Sequence, residues 1–287
     1  MIPADFDFQV TVPDEPLARY VEQVWFARGT SPHGRERILP SPAVVLLVIL
    51  GPPLRMTEPR PGAVPQEIAG AWLSGPHERP IINEPTAETH VVGAMFRAGG
   101  IAAFLDGPAD ALANRIVPLH EASTTLGVGE ELVESFGAGL TAGEALRTMS
   151  RRLSAAIAPP EHARTWRRAI EALTSHEFES VGEVQESLGV SRRHFVAEVR
   201  RRAGLNPKAL QRIARMRRML EELDASKPIH WSREAVGAGY SDQPHAIRDF
   251  RAFTGMTPAE YVRRRQRAWG NEVKPGEAAN FVPELIR

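Results

Sequence analysis

The sequence predicts an α+β chain in two parts, a β-rich N-terminal half followed by an all-helical C-terminal half. Three observations carry this reading. Strand-length apolar segments separated by proline-rich stretches are confined to the first half, an internal repeat with helical punctuation occupies the second, and charge is divided unequally between the two. The 287 residues suffice for two cores of ordinary size.

In the first half, segments 21–27, 43–50 and 89–97 read as strands, with proline-rich loops expected at 31–42, 51–65 and 76–85. Helical patterns follow over about 101–113 and 130–157. The longest apolar run, 43–50, is strand-sized and far short of the 18 or so residues that span a membrane. No basic segment precedes an apolar stretch at the N-terminus, so a cytoplasmic protein is expected, with no membrane partner. The absence of cysteine excludes disulfides, thiolate metal sites and cysteine nucleophiles. His33, His77, His90 and His120 are scattered singly, without the His-x-His spacing of a strand-borne metal site. The reading is therefore of a protein that is not an enzyme and has no metal and no cofactor. Trp25 and Trp72 are expected in the core of this half.

Cutting the chain near residue 160 exposes the charge asymmetry. Residues 1–160 hold 12 Lys+Arg against 18 Asp+Glu, a net of −6, whereas residues 161–270 hold 21 against 14, a net of +7. Within 191–218 there are ten basic residues and one acid, Glu198. Solvated helices normally mix signs in i,i+4 pairs, so this imbalance points to a surface that faces phosphate.

Sliding the chain by 51 residues aligns Ser191 with Asp242 and holds register for about twenty positions. His194 meets His245, Glu198 meets Asp249, Val199 meets Phe250, Arg200 meets Arg251, Gly204 meets Gly255 and Pro207 meets Pro258. Each copy reads as a helix opened by a capping side chain and closed by a glycine, with a proline three residues later. Short helices at 181–188 and 233–238 precede the caps, and Gly189-Val190 and Gly239-Tyr240-Ser241 form the turns, which makes each copy a helix-turn-helix. Ile213, Met216, Leu220 and Leu223 recur at helical spacing, so 208–223 should be a connecting helix.

The segments GVSRRHFVAEVRRRAGLNPKALQRIARMRRML and AVGAGYSDQPHAIRDFRAFTGMTPAEYVRR resemble the DNA-binding domain of the AraC/XylS family of bacterial transcription regulators. Gly239, Tyr240, Phe250, Gly255, Pro258 and Tyr261 carry the more specific half of the resemblance. It implies seven helices, with two recognition helices held on one face of the DNA by the connecting helix. More weakly, the first half resembles the small β-rich, cupin-like barrel sensor domain that some of these regulators carry. The expected organisation is a sensor or dimerisation domain over 1–160, a DNA-binding domain over 161–268 and a tail over 269–287. Double-stranded DNA is the expected partner, with a small-molecule effector, RNA polymerase and a second copy of the chain as further ones. The alternative is a regulator whose first half only dimerises and binds no ligand. A DNA-repair protein built on the same domain would transfer alkyl groups to cysteine, and this chain has none.

On the first recognition helix, Arg192, Arg193, Val196, Ala197 and Arg200 face away from the apolar stripe. By resemblance Arg193, Val196 and Ala197 sit where the family reads bases. Arginine can hold the O6 and N7 acceptors of guanine, while Val and Ala offer apolar contact to a thymine methyl. The second helix presents Gln243, Pro244, His245, Ile247 and Arg248, of which Gln243 and Arg248 have donors and acceptors for bases. Arg201, Arg202, Arg251, Arg263, Arg264 and Arg265 are expected at phosphates or in solvent, setting affinity without reading sequence.

Overall fold

The computed structural model describes residues 6–30, 34–60, 62–85, 88–123, 126, 129–137, 139–175, 180–223, 229–269 and 281–283. The first half builds an antiparallel sheet from β1 (Asp7–Thr11), β2 (Val21–Gly29), β3 (Glu36–Ile38), β4 (Val45–Thr57), β5 (Gln66–Ser74), β6 (Ile81–Pro85), β7 (Thr89–Phe96) and β8 (Ile116–Pro118). A ninth strand, β9 (Phe281–Pro283), comes from the far end of the chain. The order is β1-β2-β7-β4-β6-β3-β9, with β5 added to β4 and β8 to β5.

Strand β4 runs through the prolines that the sequence assigns to a loop over 51–65. Register shifts between Ile49 and Leu54, and Gly51, Pro52 and Pro53 occupy the irregular stretch. Proline donates no N–H to a ladder, so within a strand it is tolerated at an end, at an edge or, as here, where pairing lapses, and pairing resumes at Leu54. The expected loops at 31–42 and 76–85 likewise contain β3 and β6. The helix expected over 101–113 is instead two 3₁₀ turns, Gly100–Ala103 and Ala109–Leu112, separated by Asp106-Gly107-Pro108. After a short α1 (Leu119–Ala122), the pattern over 130–157 resolves into α2 (Gly129–Glu134) and α3 (Ala142–Ala155). Thr141 opens α3 with a capping box to Glu144, which satisfies two of the free N–H groups at that end.

Both faces of the central strands are buried. Leu46 and Val48 of β4 belong with Val24, Phe26, Val92 and Met149 to one apolar cluster, which takes in α3. Leu47 and Ile49 belong with Ile68, Ile81 and Val91 to a second, against which Trp25 and Trp72 pack half-buried. Val10, Trp25, Gly93, Leu47, Trp72 and Pro118 stand in register across β1, β2, β7, β4, β5 and β8. Only glycine fits at position 93, because a Cβ there would fall 2.2 Å from the Trp25 ring.

Among the described residues, the second half contains the seven helices that the resemblance implies. They are α4 (Ala163–Ser175), α5 (Val181–Ser187), α6 (Arg192–Ala203), α7 (Pro207–Glu222), α8 (Trp231–Gly237), α9 (Gln243–Thr254) and α10 (Pro258–Trp269). Trp166, Phe195, Leu210, Ile213, Phe250 and Tyr261 lie in one continuous core. Each such side chain contributes about 1.5–3 kcal/mol on leaving water. Leu39, from the sheet half, is buried in that same core. No helix among the described residues is long and apolar enough to cross a membrane.

The two halves are joined at several further points. Arg217 of α7 donates to Ser41 Oγ at 2.8 Å. Arg37 of β3 donates to the Thr254 carbonyl at the end of α9 at 3.1 Å. Gly204, at the end of α6, lies against Pro76 and Ala109. Of the expected tail, Trp269 closes α10 and 281–283 form β9, which pairs antiparallel with β3.

Candidate nucleic-acid interface

Each recognition helix is started and stopped by the residues the repeat aligns. Ser191 Oγ accepts from the His194 N–H at 3.3 Å, and Asp242 Oδ1 accepts from the His245 N–H at 2.7 Å. That bond holds the Asp242 carboxyl below its ordinary range, since a carboxylate accepting from the backbone is stabilised as the anion. At the other end Gly204 and Gly255 take φ of +81° and +71°, and their N–H groups return to Arg200 and Arg251. Pro207 and Pro258 then open α7 and α10.

Apolar spacing decides which face each helix turns outward. In α6, Phe195 and Val199 are buried, which leaves Arg192, Arg193, Ala197 and Arg200 exposed and Val196 half-buried. Arg192 and Arg193 make no hydrogen bond or ion pair with other described residues, so their guanidinium donors are open to an acceptor. In α9, Ala246, Phe250 and Phe253 are buried; Pro244, Arg248 and Arg251 are exposed; Gln243 and His245 are half-buried. Gln243 Oε1 accepts from Ser232 Oγ of α8 at 2.6 Å, which orients the amide. Pro244 lies in the first turn of α9, where its missing N–H has no intrahelical role.

The repeat extends to the aromatic neighbours. His194 meets Trp166 edge to face at 5.6 Å, and His245 meets Tyr240 the same way at 5.2 Å. It extends also to the acids aligned by the 51-residue shift. Glu198 accepts from Arg201 and Arg202, at 2.8 and 3.0 Å, and these bonds hold its carboxyl below the ordinary range despite partial burial. Asp249 accepts from Arg212 of α7 at 2.8 Å, while its second carboxylate oxygen is buried without a hydrogen-bond partner among the described residues. Sequence reasoning missed this cross-helix pair, although the one acid in an otherwise basic stretch aligns with it.

Two of the arginines expected at phosphates or in solvent are corrected. Arg202 is 5% exposed and donates to the Glu161 carbonyl and to Glu198. Arg265 is 2% exposed and donates to the Tyr261 hydroxyl. Arg264 is half-buried and paired with Glu260. Burial takes the first two guanidiniums out of reach of DNA, whereas Arg201 and Arg263 remain exposed. Arg200 is exposed but lies 3.5 Å from Asp110, in the second of the two 3₁₀ turns of the sheet half. Of the singly placed histidines, His33 lies outside the described residues. His77 is tucked beside Ser74, with Nε2 3.1 Å from Oγ, and burial lowers its pKa to about 4.

The model of a domain family of unknown function (DUF6597) matches residues 9–118, and that of a helix-turn-helix domain family matches residues 184–264. Among solved structures the chain is similar to ToxT from Vibrio cholerae, with a TM-score of 0.46 and 11% identity over 90% of this chain and 98% of that one. ToxT from Vibrio cholerae O395 aligns at a TM-score of 0.44 with 13% identity, covering 91% and 98% of the two chains. A wild-type ToxT bound to an unsaturated fatty acid aligns at 0.43 with 11% identity, covering 91% and 96%. No curated protein sequence matches the chain.

Proposed function

From the match of residues 184–264 to a helix-turn-helix domain family, we propose that this chain is a DNA-binding transcription regulator of the AraC type, that α6 and α9 read base pairs in two successive major grooves, and that the sheet half governs their access to DNA in response to a small-molecule effector. The observation that carries this is the pair of recognition faces. Arg192 and Arg193 on one helix and Arg248 on the other are exposed and unpaired with other described side chains, while the opposite faces are locked into one core. Arg193 and Gln243 have the paired donors and acceptors that distinguish guanine and adenine, and Arg251 reaches toward phosphate. Control by the sheet half is supported by its seat on the ends of both helices, at Gly204 and at Thr254. The regulator works in the cytoplasm and acts on transcription through RNA polymerase.

Selecting bound sequences from a random DNA pool with the full chain tests the reading. Two short blocks of conserved base pairs are expected, separated by about one helical turn. Recovery of unrelated sequences would overturn it.

A second reading, in which the sheet half serves only to pair two copies, has one observation of its own. Phe8, Val10 and Val12 stand exposed along and just beyond the edge strand β1, at 45%, 45% and 67%. Sedimentation of the full chain, with and without a metabolite mixture, separates the two.

A further inference from the structure

We propose that the cavity of about 700 Å³ between the sheet and the second helix-turn-helix unit binds a small organic or inorganic anion whose acidic group competes with Asp249 for the guanidinium of Arg212. This rests on the reading that an effector controls DNA binding, and it names the effector's chemistry and place.

The cavity belongs to neither half alone. Its walls come from the end of β4, the loops around Arg60, His77 and Arg115, and on the helical side Arg212 of α7 with Ala252 and Phe253 of α9. A ligand that reaches Arg212 there lies between the sheet and the helix that carries Gln243 and Arg248.

The charge of the wall selects the ligand. Arg60, Arg79, Arg115 and Arg212 line it against Glu58 and Glu78. Arg60 is occupied by Glu58 at 2.7 Å, and Arg115 donates to the Ala111 carbonyl. Arg79 is exposed with no partner among the described residues, and Arg212 is shared with Asp249. His77 adds no charge, because burial keeps it neutral above about pH 4. The surplus is therefore cationic and resides on guanidiniums, which take carboxylate or phosphate oxygens in pairs.

One polar atom of the wall lacks a partner: Thr57 Oγ1 is buried with no hydrogen bond among the described residues. Behind Arg212, the second carboxylate oxygen of Asp249 makes no hydrogen bond either and faces His245 Nε2 at 3.9 Å. A buried polar atom without a hydrogen bond carries its full desolvation cost, so Thr57 is poised to accept a ligand and Asp249 has a second cation to turn to. An anion in the cavity supplies Thr57 with an acceptor and draws Arg212 off Asp249. That loosens the tie between α7 and α9, which is the route from cavity to DNA.

Calorimetric titration of the full chain with inorganic phosphate and, separately, benzoate, each against chloride at matched ionic strength, tests the site and separates phosphate from carboxylate chemistry. Binding of one or both at millimolar concentration is expected. Arg79→Ala should weaken it about tenfold through loss of one charge-assisted hydrogen bond. Asp249→Asn should tighten it several-fold, because the competitor for Arg212 is gone. A merely destabilised protein would not gain affinity. Absence of binding by both anions, or binding indifferent to both substitutions, overturns the site. Effector control by some other ligand would survive that result, as a metabolite-dependent change in DNA affinity. Anion binding that follows both substitutions but leaves DNA affinity unchanged would uphold the site and overturn effector control.

Discussion

Gly204 and Gly255, aligned by the 51-residue repeat, occupy the same left-handed position at the ends of the two recognition helices, and both face the sheet half. Yet their surroundings differ. A Cβ at 204 would meet Pro76 Cγ at 2.6 Å and the Ala109 carbonyl oxygen at 3.0 Å, whereas at 255 it would meet only the end of the Arg37 side chain, at 2.6 Å. The left-handed conformation costs a non-glycine residue about 1–2 kcal/mol. Gly255→Ala should lose about that much, together with about 1 kcal/mol for the Arg37 to Thr254 hydrogen bond, in urea unfolding, since the Arg37 guanidinium can swing aside only by giving that bond up. Gly204→Ala should lose more, because a proline ring and a backbone carbonyl cannot.

Arg193 and Arg202 lie nine residues apart on one helix and should fail in opposite ways. Arg193→Ala is expected to cost about 1–3 kcal/mol on the preferred DNA site and to relax discrimination at one base pair, with unfolding unchanged. Arg202→Ala should instead destabilise the fold by about 1–3 kcal/mol, because the Glu161 carbonyl and Glu198 lose a buried donor. Equal loss on specific and random DNA for Arg193→Ala would remove it from base reading.

The ion pair between Arg200 and Asp110 places a carboxylate where a phosphate would dock. Asp110→Asn frees the guanidinium, and the salt dependence of DNA binding should steepen by about one unit of slope. An unchanged slope would mean that Arg200 never reaches the backbone.

The 16 residues of α7, at about 1.5 Å each, form a rod of about 24 Å between the two units. A rigid body of that kind fits blocks about one turn, 10 to 10.5 base pairs, apart. Inserting either five or ten base pairs between the blocks should reduce binding to that of a single unit. Recovery at ten would show that the units are flexibly tethered.

His77 should make the fold sensitive to acid. Its pKa is about 4 in the folded chain against an ordinary 6.5, so between those values the unfolded chain binds more protons. Stability from this group is fully present above about pH 6.5, falls as pH falls toward 4, and levels off below. The drop in melting temperature between pH 6.5 and 4.5 should be smaller in His77→Gln than in the parent.

The helical half was legible because its signals are local. Ser191, Asp242, Gly204 and Gly255 act within a turn of their own positions, and a repeat doubles each of them. The buried arginines were legible too, had spacing outweighed charge: Arg202 follows Phe195 and Val199 at i+7 and i+3, on the apolar stripe. The sheet resisted reading because register is set across the chain. Nothing near Gly93 announces that Trp25 lies on it, and Pro52 and Pro53 read as a loop until the neighbours of β4 show where pairing lapses. The Arg212 to Asp249 pair spans 37 residues and two helices, beyond any local pattern.

The pairing of β9 with β3 changes what kind of object the helical half is. The chain departs from the sheet after β8, passes through the helices and rejoins the same sheet, so the DNA-binding region is a closed excursion and not a pendant on a single stalk. A pendant sweeps a volume. An excursion anchored at both ends, and fastened between them through Leu39, Arg217 and Gly204, keeps a fixed bearing on the sheet, so the search for DNA is made by the molecule turning as a whole.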